Sequence, residues 1–584
     1  MKQIYIFAFF LLPLFGFSQL TIKPFQDFDA YVYVEKDMLF VEKEINLISN
    51  TGNNPKANIY LRNEAQLLQG KANSENSGNG SISVFQEGNA TNYTYNYWGS
   101  PVSNANNKNS LGSIIYDPVT KTESNPAIIT SSYDGLSKPL TISNKWIYKF
   151  SGIEYSDWVY IGNNFNIKPG EGFTMKGVLG TNTETVLYNT PNNPGNKQRY
   201  DFRGKPNSGN YELNIQEGDI KLVGNPYPSA FDLNAFLQDN TTITGIAYFW
   251  DSKNTDSHYL KEYEGGYGTY SPGLGIFGYV PAIFTKFDGN GNTTTNTNLV
   301  GDYYARRYSP IGQGFMVIGN KDGTIVFDNK YRSFIKEDQL LSEFKARKHS
   351  KNKIEVEEIP LLRLNIQFQN KYIRQILLAL RNNSTKDADH AMDAINPEYL
   401  SSDVGWLIEN ENYLINVRPL EELEEIPLYI VMSETTDVIF DIVEITGISS
   451  DVYLLDTSNN KYYNLKSDTT KINVEAGEYP DRFKITYTNK EQVYVNWEYV
   501  NDINNFSIFQ NNPESRLEIR IPVKSNPRDI ILFDSLGKKV MEKKGITNDA
   551  YHEFSTRKLS RGLYILKITN TNGTVVSKKV IISN

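Results

Sequence analysis

The chain has 584 residues, room for several packed cores at about 150 residues per domain, and its 59 Lys and Arg stand against 67 Asp and Glu for a net charge of −8. It contains no Cys, which excludes disulfides, thiolate metal sites, a thiol nucleophile and a lipidated N-terminal Cys. Only four His are available for histidine chemistry, and an acidic chain without a long basic stripe argues against nucleic acid as a partner.

Lys2 opens a short positive region, and Ile4 to Phe15 is apolar except for Pro13. Gly16-Phe17-Ser18 supplies small residues at the spacing a signal peptidase reads. Residues 1–18 are therefore expected to be a signal peptide cut between Ser18 and Gln19. A dozen apolar residues are too few to span a bilayer, and no later stretch reaches the roughly 18 required, so no transmembrane segment is expected after cleavage.

Residues 19–333 are rich in Asn, Gly, Tyr and Thr, with short apolar alternations separated by turn pairs such as Gly52-Asn53 and Asp288-Gly289-Asn290-Gly291. Tyr31–Val34, Met38–Val41 and Ala57–Leu61 predict strands, because aromatic and β-branched residues suit a half-buried pleated surface. This region is expected to form one or two β domains with long loops. Two echoes stand out within it, Gly170-Glu171-Gly172-Phe173 and Gly312-Gln313-Gly314-Phe315. An internal duplication and two independent glycine turns leading into strands explain them equally well.

Residues 334–359 are crowded with charge, and Leu340, Leu341 and Phe344 predict one short amphipathic helix inside a linker that borders a new domain. Beyond it Leu362, Leu364, Ile366 and Phe368 alternate with Arg363, Asn365 and Gln367, which predicts a strand with one wet face. Similar runs follow at 376–380, 406–408, 414–417, 428–432, 438–443, 452–455 and 483–487, so 360–490 is expected to be a β-sandwich. A linker at 491–505 precedes the tail.

The tail after Pro513 holds 14 Lys or Arg and 7 Asp or Glu, a local charge of +7 that leaves −15 for the rest. Its pieces are Asn512-Pro513 with Leu517-x-Ile519, Phe533-Asp534-Ser535-Leu536-Gly537-Lys538, Leu559-Ser560-Arg561-Gly562-Leu563-Tyr564-Ile565, and Lys578-Lys579-Val580-Ile581-Ile582. In this order they resemble the type A C-terminal sorting domain of the bacterial type IX secretion system, departing from it where Asn511 replaces the first residue of Pro-Asn-Pro. The resemblance implies that 506–584 is an immunoglobulin-like β-sandwich sorting domain. It further implies that Pro513, Asp534, Gly537, Lys538, Gly562, Tyr564, Lys578 and Lys579 belong to the signal. The partners it implies are the type IX translocon and its C-terminal signal peptidase, with the tail removed near residue 505 and the body released or attached to surface lipopolysaccharide. On physical grounds Gly537 suits a turn, Asp534 caps it, and the paired lysines are either a solvated face or a recognition site. Upstream, Asn96-Tyr97-Trp98-Gly99-Ser100-Pro101, Val223-Gly224-Asn225-Pro226 and Asp389-His390-Ala391-Met392-Asp393 resemble segments of large secreted proteins with the same tail.

The search for chemistry yields no cofactor motif. Gly273-Leu274-Gly275-Ile276-Phe277-Gly278 fits the dinucleotide pattern but lacks the following helix, and Asp288, Asn290 and Asn292 imitate a calcium loop whose glycine and glutamate positions are Thr293 and Leu299. His258, His349, His390 and His552 are scattered, no G-x-S-x-G elbow occurs, and the acidic cluster Glu421, Glu422, Glu424 and Glu425 reads as a solvated loop. Aromatics are the better lead at 13%, crowding at Tyr93, Tyr95, Tyr97 and Trp98, at Trp146 and Trp158, and at Tyr248-Phe249-Trp250. Rings beside Asn and Asp are the materials of sugar stacking, which makes Trp98, Trp146 and Trp158 candidates, the competing role of each being a core side chain. The expectation is an all-β, multidomain protein, exported through the periplasm to the cell surface or beyond, that acts as a non-catalytic adhesin or glycan-binding protein. The alternative is a glycan hydrolase using an unidentified carboxylate pair.

Overall fold

A computed structural model describes residues 19–50, 55–70, 75–104, 111–162, 166–180, 185–187, 190–192, 198–337, 341–344, 359–368, 372–398, 400–419, 425–467, 469–489, 507–512, 514–521, 527–546, 551–571, 573 and 575–583. Ser18 and Pro513 of the expected signals, Leu340 of the expected helix, and Glu421, Glu422 and Glu424 lie outside them. The structure is all-β and forms two compact units, Met1–Tyr487 and Thr488–Asn584.

The first unit begins with strands stacked in parallel. Leu20–Ile22, Ile45–Leu47 and Ser77–Gly78 form one face. Ala30–Glu35, Ala57–Arg62 and Ser81–Glu87 form a second, and Met38–Val41 with Gln66–Gln69 forms a third. The chain thus winds in successive coils, burying Ile22, Ile45, Leu47, Ile59, Leu61, Leu67, Ile82 and Val84 between them. Arg199–Pro206 then pairs antiparallel with Ser81–Glu87 and finishes this sheet.

A nine-stranded sheet follows, in the order Trp158–Tyr160, Tyr148–Gly152, Ile220–Gly224, Gly314–Ile318, Ala247–Ser252, Glu264–Tyr270, Ile283–Phe287 and Thr293–Val300, with Tyr279–Val280 beside Glu264–Tyr270. Its central strands are buried on both faces. Alternate residues divide between them, since side chains two apart share a face: Leu222, Tyr248 and Met316 join one core, and Val223, Phe249 and Val317 another.

The two glycine echoes occupy equivalent places. Phe173–Lys176 pairs antiparallel with Tyr95–Trp98, and Gly314–Ile318 pairs antiparallel with Ile220–Gly224. Gly170 and Gly312 both have positive φ, at 88° and 71°, which a side chain would strain. The Gly99 N–H donates to the Gly312 carbonyl at 2.8 Å and the Gly224 N–H to the Gly170 carbonyl at 3.0 Å. Gly99 and Gly224 themselves touch, so that a Cβ on Gly224 would lie 2.6 Å from the Gly99 Cα. The two strand-clasps pack against each other through these glycines.

The expected strands beyond residue 360 form an eleven-stranded sheet, antiparallel except where Tyr372–Leu380 runs parallel to Glu411–Arg418. Leu362, Leu364, Ile366 and Phe368 are buried as the alternation requires. The face expected to be wet is covered at its start, while Asn365 and Gln367 are half-buried. Arg363 is buried there and donates to the Phe277 and Tyr279 carbonyls at 3.0 and 2.9 Å. One core accordingly runs from Tyr97 and Phe150 through Leu361 to Tyr487, and the border expected at 334–359 lies inside a single compact unit. Residues 341–344 also depart from the expected helix, with Ser342 bridging to Tyr308 and Phe344 buried against Trp98.

The second unit is a sandwich of two sheets. One holds Ser507–Asn511, Arg516–Arg520 and Tyr551–Ser555, and the other Lys539–Lys544, Pro527–Asp534, Gly562–Asn570 and Val575–Ile582. Leu517, Ile519, Ile530, Leu532, Leu566 and Ile568 fill the space between them.

Candidate functional site

The aromatic clusters converge on one face of the nine-stranded sheet. Trp158, Phe150, Ile220, Met316, Tyr248, Trp250 and Tyr267 sit on consecutive strands of that sheet, and with Tyr95, Trp146 and Tyr263 they line a cavity of about 750 Å³. About half of its lining side chains are Trp, Tyr or Phe, which suits a concave ligand site with few polar groups to fix orientation.

The three candidate tryptophans divide. Trp98 is 1% exposed, packed against Phe344 at 4.7 Å, Tyr200 at 5.5 Å and Phe202 at 5.7 Å between ring centres. It is a core residue and cannot stack on a sugar, because Tyr95–Trp98 alternates and turns Trp98 away from the cavity that Tyr95 and Tyr97 line. Trp146 and Trp158 both line the cavity. The Trp146 ring is fixed by its indole N–H, which donates to the Tyr133 carbonyl at 2.7 Å. Trp158 lies against Phe150 and Tyr97, with ring centres 4.8 and 6.0 Å away.

One wall carries His258, half-buried in a polar chain that runs back to Lys176. The Lys176 Nζ donates to the Tyr263 hydroxyl, lies 3.0 Å from His258 Nδ1 and sits 3.6 Å from the centre of the Trp146 ring. His258 in turn contacts Asp134 through Nε2 at 3.0 Å and stacks on Trp146. Burial drives the Lys176 ammonium down to about 7, opposed by Asp134, and burial together with Lys176 lowers His258. A lysine depressed from its ordinary 10.5 to about 7 makes the fold more stable as pH rises across that interval, because there the unfolded chain binds a proton that the folded chain does not. That stability is fully present above 10.5 and lost as pH falls to about 7. Urea denaturation of wild type and Lys176→Met is expected to show wild type gaining stability relative to the variant between pH 7 and pH 10. A difference independent of pH would show that Lys176 is not desolvated.

The lining also includes Glu398, contributed by the segment after the short strand Ala394–Ile395. Burial pushes its carboxyl up to about 8 against the pull of Arg374, and it accepts the Tyr267 N–H. Gly266 leaves space for it, since a Cβ there would lie 3.1 Å from Glu398 Oε2. Arg374 is committed elsewhere, donating to both Asp403 oxygens at 2.7 Å and to the Glu398 carbonyl at 3.0 Å.

The rejected motifs fold as plain turns. Pro272–Phe277 is a short 3-10 segment, and Asp288 Oδ1 accepts the Asn290 and Asn292 N–H groups at 2.8 and 2.9 Å. Glu425 pairs with Lys484 at 3.2 Å. Among the described residues no group of three or more His, Asp or Glu converges to hold a metal ion. Lys176 and Glu398 carry no signal in the sequence, and His258 shows there only as one of four scattered histidines. The aromatic crowding around Tyr95 and Trp250 pointed to their neighbourhood, while nothing in local sequence marks these three as its polar groups.

In the second unit, Asp534 caps its turn as expected. Its Oδ1 accepts the Leu536 and Lys538 N–H groups at 3.0 and 2.9 Å, with Gly537 at φ 80°. Gly562 opens its strand, and Tyr564 is buried with its hydroxyl donating to the Ser560 carbonyl at 2.7 Å. Lys538, Lys578 and Lys579 are exposed, as is Gln19 in the first unit.

A family model described as Domain of unknown function (DUF8693) matches residues 29–487, most of the chain. The chain belongs to this family. A second model, Secretion system C-terminal sorting domain, matches residues 489–583, so this family member is cargo of the type IX system, exported to the cell surface or extracellular space. Among the described residues no helix is long and apolar enough to cross a membrane. No match is found among curated proteins. Two solved structures show similarity. A DUF3244 family protein with an immunoglobulin-like β-sandwich fold from Bacteroides vulgatus is 18% identical, covering 14% of this chain and 96% of its own, at a TM-score of 0.12. The BSP domain of a biofilm associated protein is 9% identical, covering 85% of this chain and 98% of its own, at a TM-score of 0.16.

Proposed function

We propose that this exported protein is a glycan-binding surface protein that holds a saccharide in the aromatic cavity without cleaving it. The observation that carries the reading is the cavity of about 750 Å³ in which Trp146 and Trp158 stand among tyrosines. Such rings stack on the apolar faces of sugars while hydroxyl and amide groups bond the sugar's own hydroxyls. Hydrolysis by the usual route requires two carboxyl groups flanking the scissile bond, and among the described lining residues Glu398 is the one carboxylate.

The test is depletion of the full chain by a panel of soluble and insoluble polysaccharides, with released reducing sugar assayed in the same tubes. Retention without sugar release is expected. Trp158→Ala should weaken retention by roughly tenfold or more, as truncation of a central aromatic anchor does, while its unfolding midpoint stays close to that of wild type. Sugar release would overturn the non-catalytic reading, and unchanged retention in Trp158→Ala would remove the cavity as the binding site.

A further inference from the structure

The cavity's walls distinguish between classes of saccharide. Among the described residues, its lining carries one carboxyl group, that of Glu398, together with the imidazole of His258. The Glu398 carboxylate accepts one backbone N–H, from Tyr267, and has no ion-pair partner among the described residues. The nearest cation that acts on it, Arg374, is neutralised by a two-pronged pair with Asp403, both side chains being almost fully buried. Burial without a counter-ion favours the protonated form of this carboxyl, and a bound cation would restore the charged form.

The rings around it favour the same charge. Tyr267, whose N–H holds the carboxylate, packs edge-on against Trp250 with ring centres 5.3 Å apart, and its hydroxyl is 2.8 Å from that of Tyr97. Aromatic faces attract ammonium groups, most strongly where water is excluded. The other cation in the neighbourhood does not compete. Lys176 is buried behind the wall, with its amine occupied by Tyr263, His258 and the face of Trp146. A sugar bearing a carboxylate or sulfate offers Glu398 no positive charge to pair with.

We infer that the saccharide bound in this cavity carries a free amine, with Glu398 as counter-ion of its ammonium and the Tyr and Trp rings as its cage. This rests on the glycan-binding reading above and narrows it to amino sugars that are not N-acetylated. The desolvation that lifts the Glu398 carboxyl to about 8 agrees with a site completed by an incoming positive charge.

The experiment compares, by calorimetry on the full chain, a β-1,4-linked glucosamine hexamer, its fully N-acetylated counterpart and a neutral glucose hexamer. The glucosamine oligomer is expected to bind about tenfold or more tighter than the acetylated one, the size of a desolvated cation contact. In Glu398→Gln the ratio of the two affinities should fall to near one. Because the wild-type ratio is itself a readout, the inference stays exposed even if the variant folds poorly. Equal affinities in wild type, or a preference that survives in Glu398→Gln, would overturn the inference and leave glycan binding standing. Binding of the neutral hexamer alone would do the same. Failure of all three oligomers and of every polysaccharide in the depletion panel would overturn the glycan reading itself.

Discussion

Deletion of residues 506–584 is expected to abolish appearance of the protein outside the cell and to leave it in the periplasm. The matched sorting domain covers residues 489–583 and supplies the signal for passage across the outer membrane. The expected leader at 1–18 serves only the inner one. The deleted segment has its own core of Leu517, Ile530, Leu566 and Ile568. The body's core ends at Tyr487, before the deleted segment begins. Immunoblots of periplasmic, outer-membrane and culture fractions give the answer. Normal amounts of truncated protein at the surface or in the medium would show that export is encoded elsewhere in the chain.

The second large effect concerns Trp98. Replacement by Ala is expected to destabilise the first unit by about 3–5 kcal/mol, the usual cost of emptying a large aromatic site in a core that cannot collapse. Collapse is prevented by what surrounds it. The ring is held among Tyr200, Phe202 and Phe344. Its backbone lies at the clasp, where Trp98 bridges to Gln313 and a Cβ on Gly314 would stand 2.8 Å from the Trp98 nitrogen. Trp98→Phe should cost much less, because it keeps most of the volume and removes an indole N–H that is buried without a partner. Urea unfolding followed by fluorescence would order the three proteins as wild type, Phe, Ala. A midpoint for Trp98→Ala within error of wild type would mean that the ring is not packed as described.

Local pattern made the strands legible and their neighbours illegible. The alternation of Leu362, Leu364, Ile366 and Phe368 marked a buried face correctly. It could not show that Arg363 on the other face meets the carbonyls of Phe277 and Tyr279, more than 80 residues earlier. A period of two says which residues share a face, and is silent on what covers it. The same limit hid the parallel stacking of Ala30–Glu35, Ala57–Arg62 and Ser81–Glu87, whose individual strands read like those of any half-buried sheet. The helix expected around Leu341 and Phe344 failed because Phe344 is claimed by Trp98, and tertiary packing outweighs a weak helical spacing.

The cavity was half visible. Tyr95, Tyr97, Trp146, Trp158, Tyr248 and Trp250 were conspicuous by crowding and do meet, whereas Trp98, in the same crowd, is core because its side chain points the other way along the same strand. The polar groups were hidden by chain separation. Lys176 and His258 are 82 residues apart, and Glu398 joins from a segment more than a hundred residues beyond either. In the sorting unit the opposite holds, since the Asp534 to Lys538 turn is a local motif whose hydrogen bonds close within four residues.

The parallel coils at the start of the chain bear on the order in which the protein is assembled. Each coil touches mainly the one before and the one after it, so its contacts close over short lengths of chain, and an array of this kind propagates from one neighbour to the next. The nine-stranded sheet also joins segments far apart, as where Ile220–Gly224 meets Gly314–Ile318, which is slow because distant ends must first be brought together. A chain emerging N-terminus first would therefore have its coils wound while the lining of the cavity was still arriving, and Glu398 would be among the last of the site's groups to take its place.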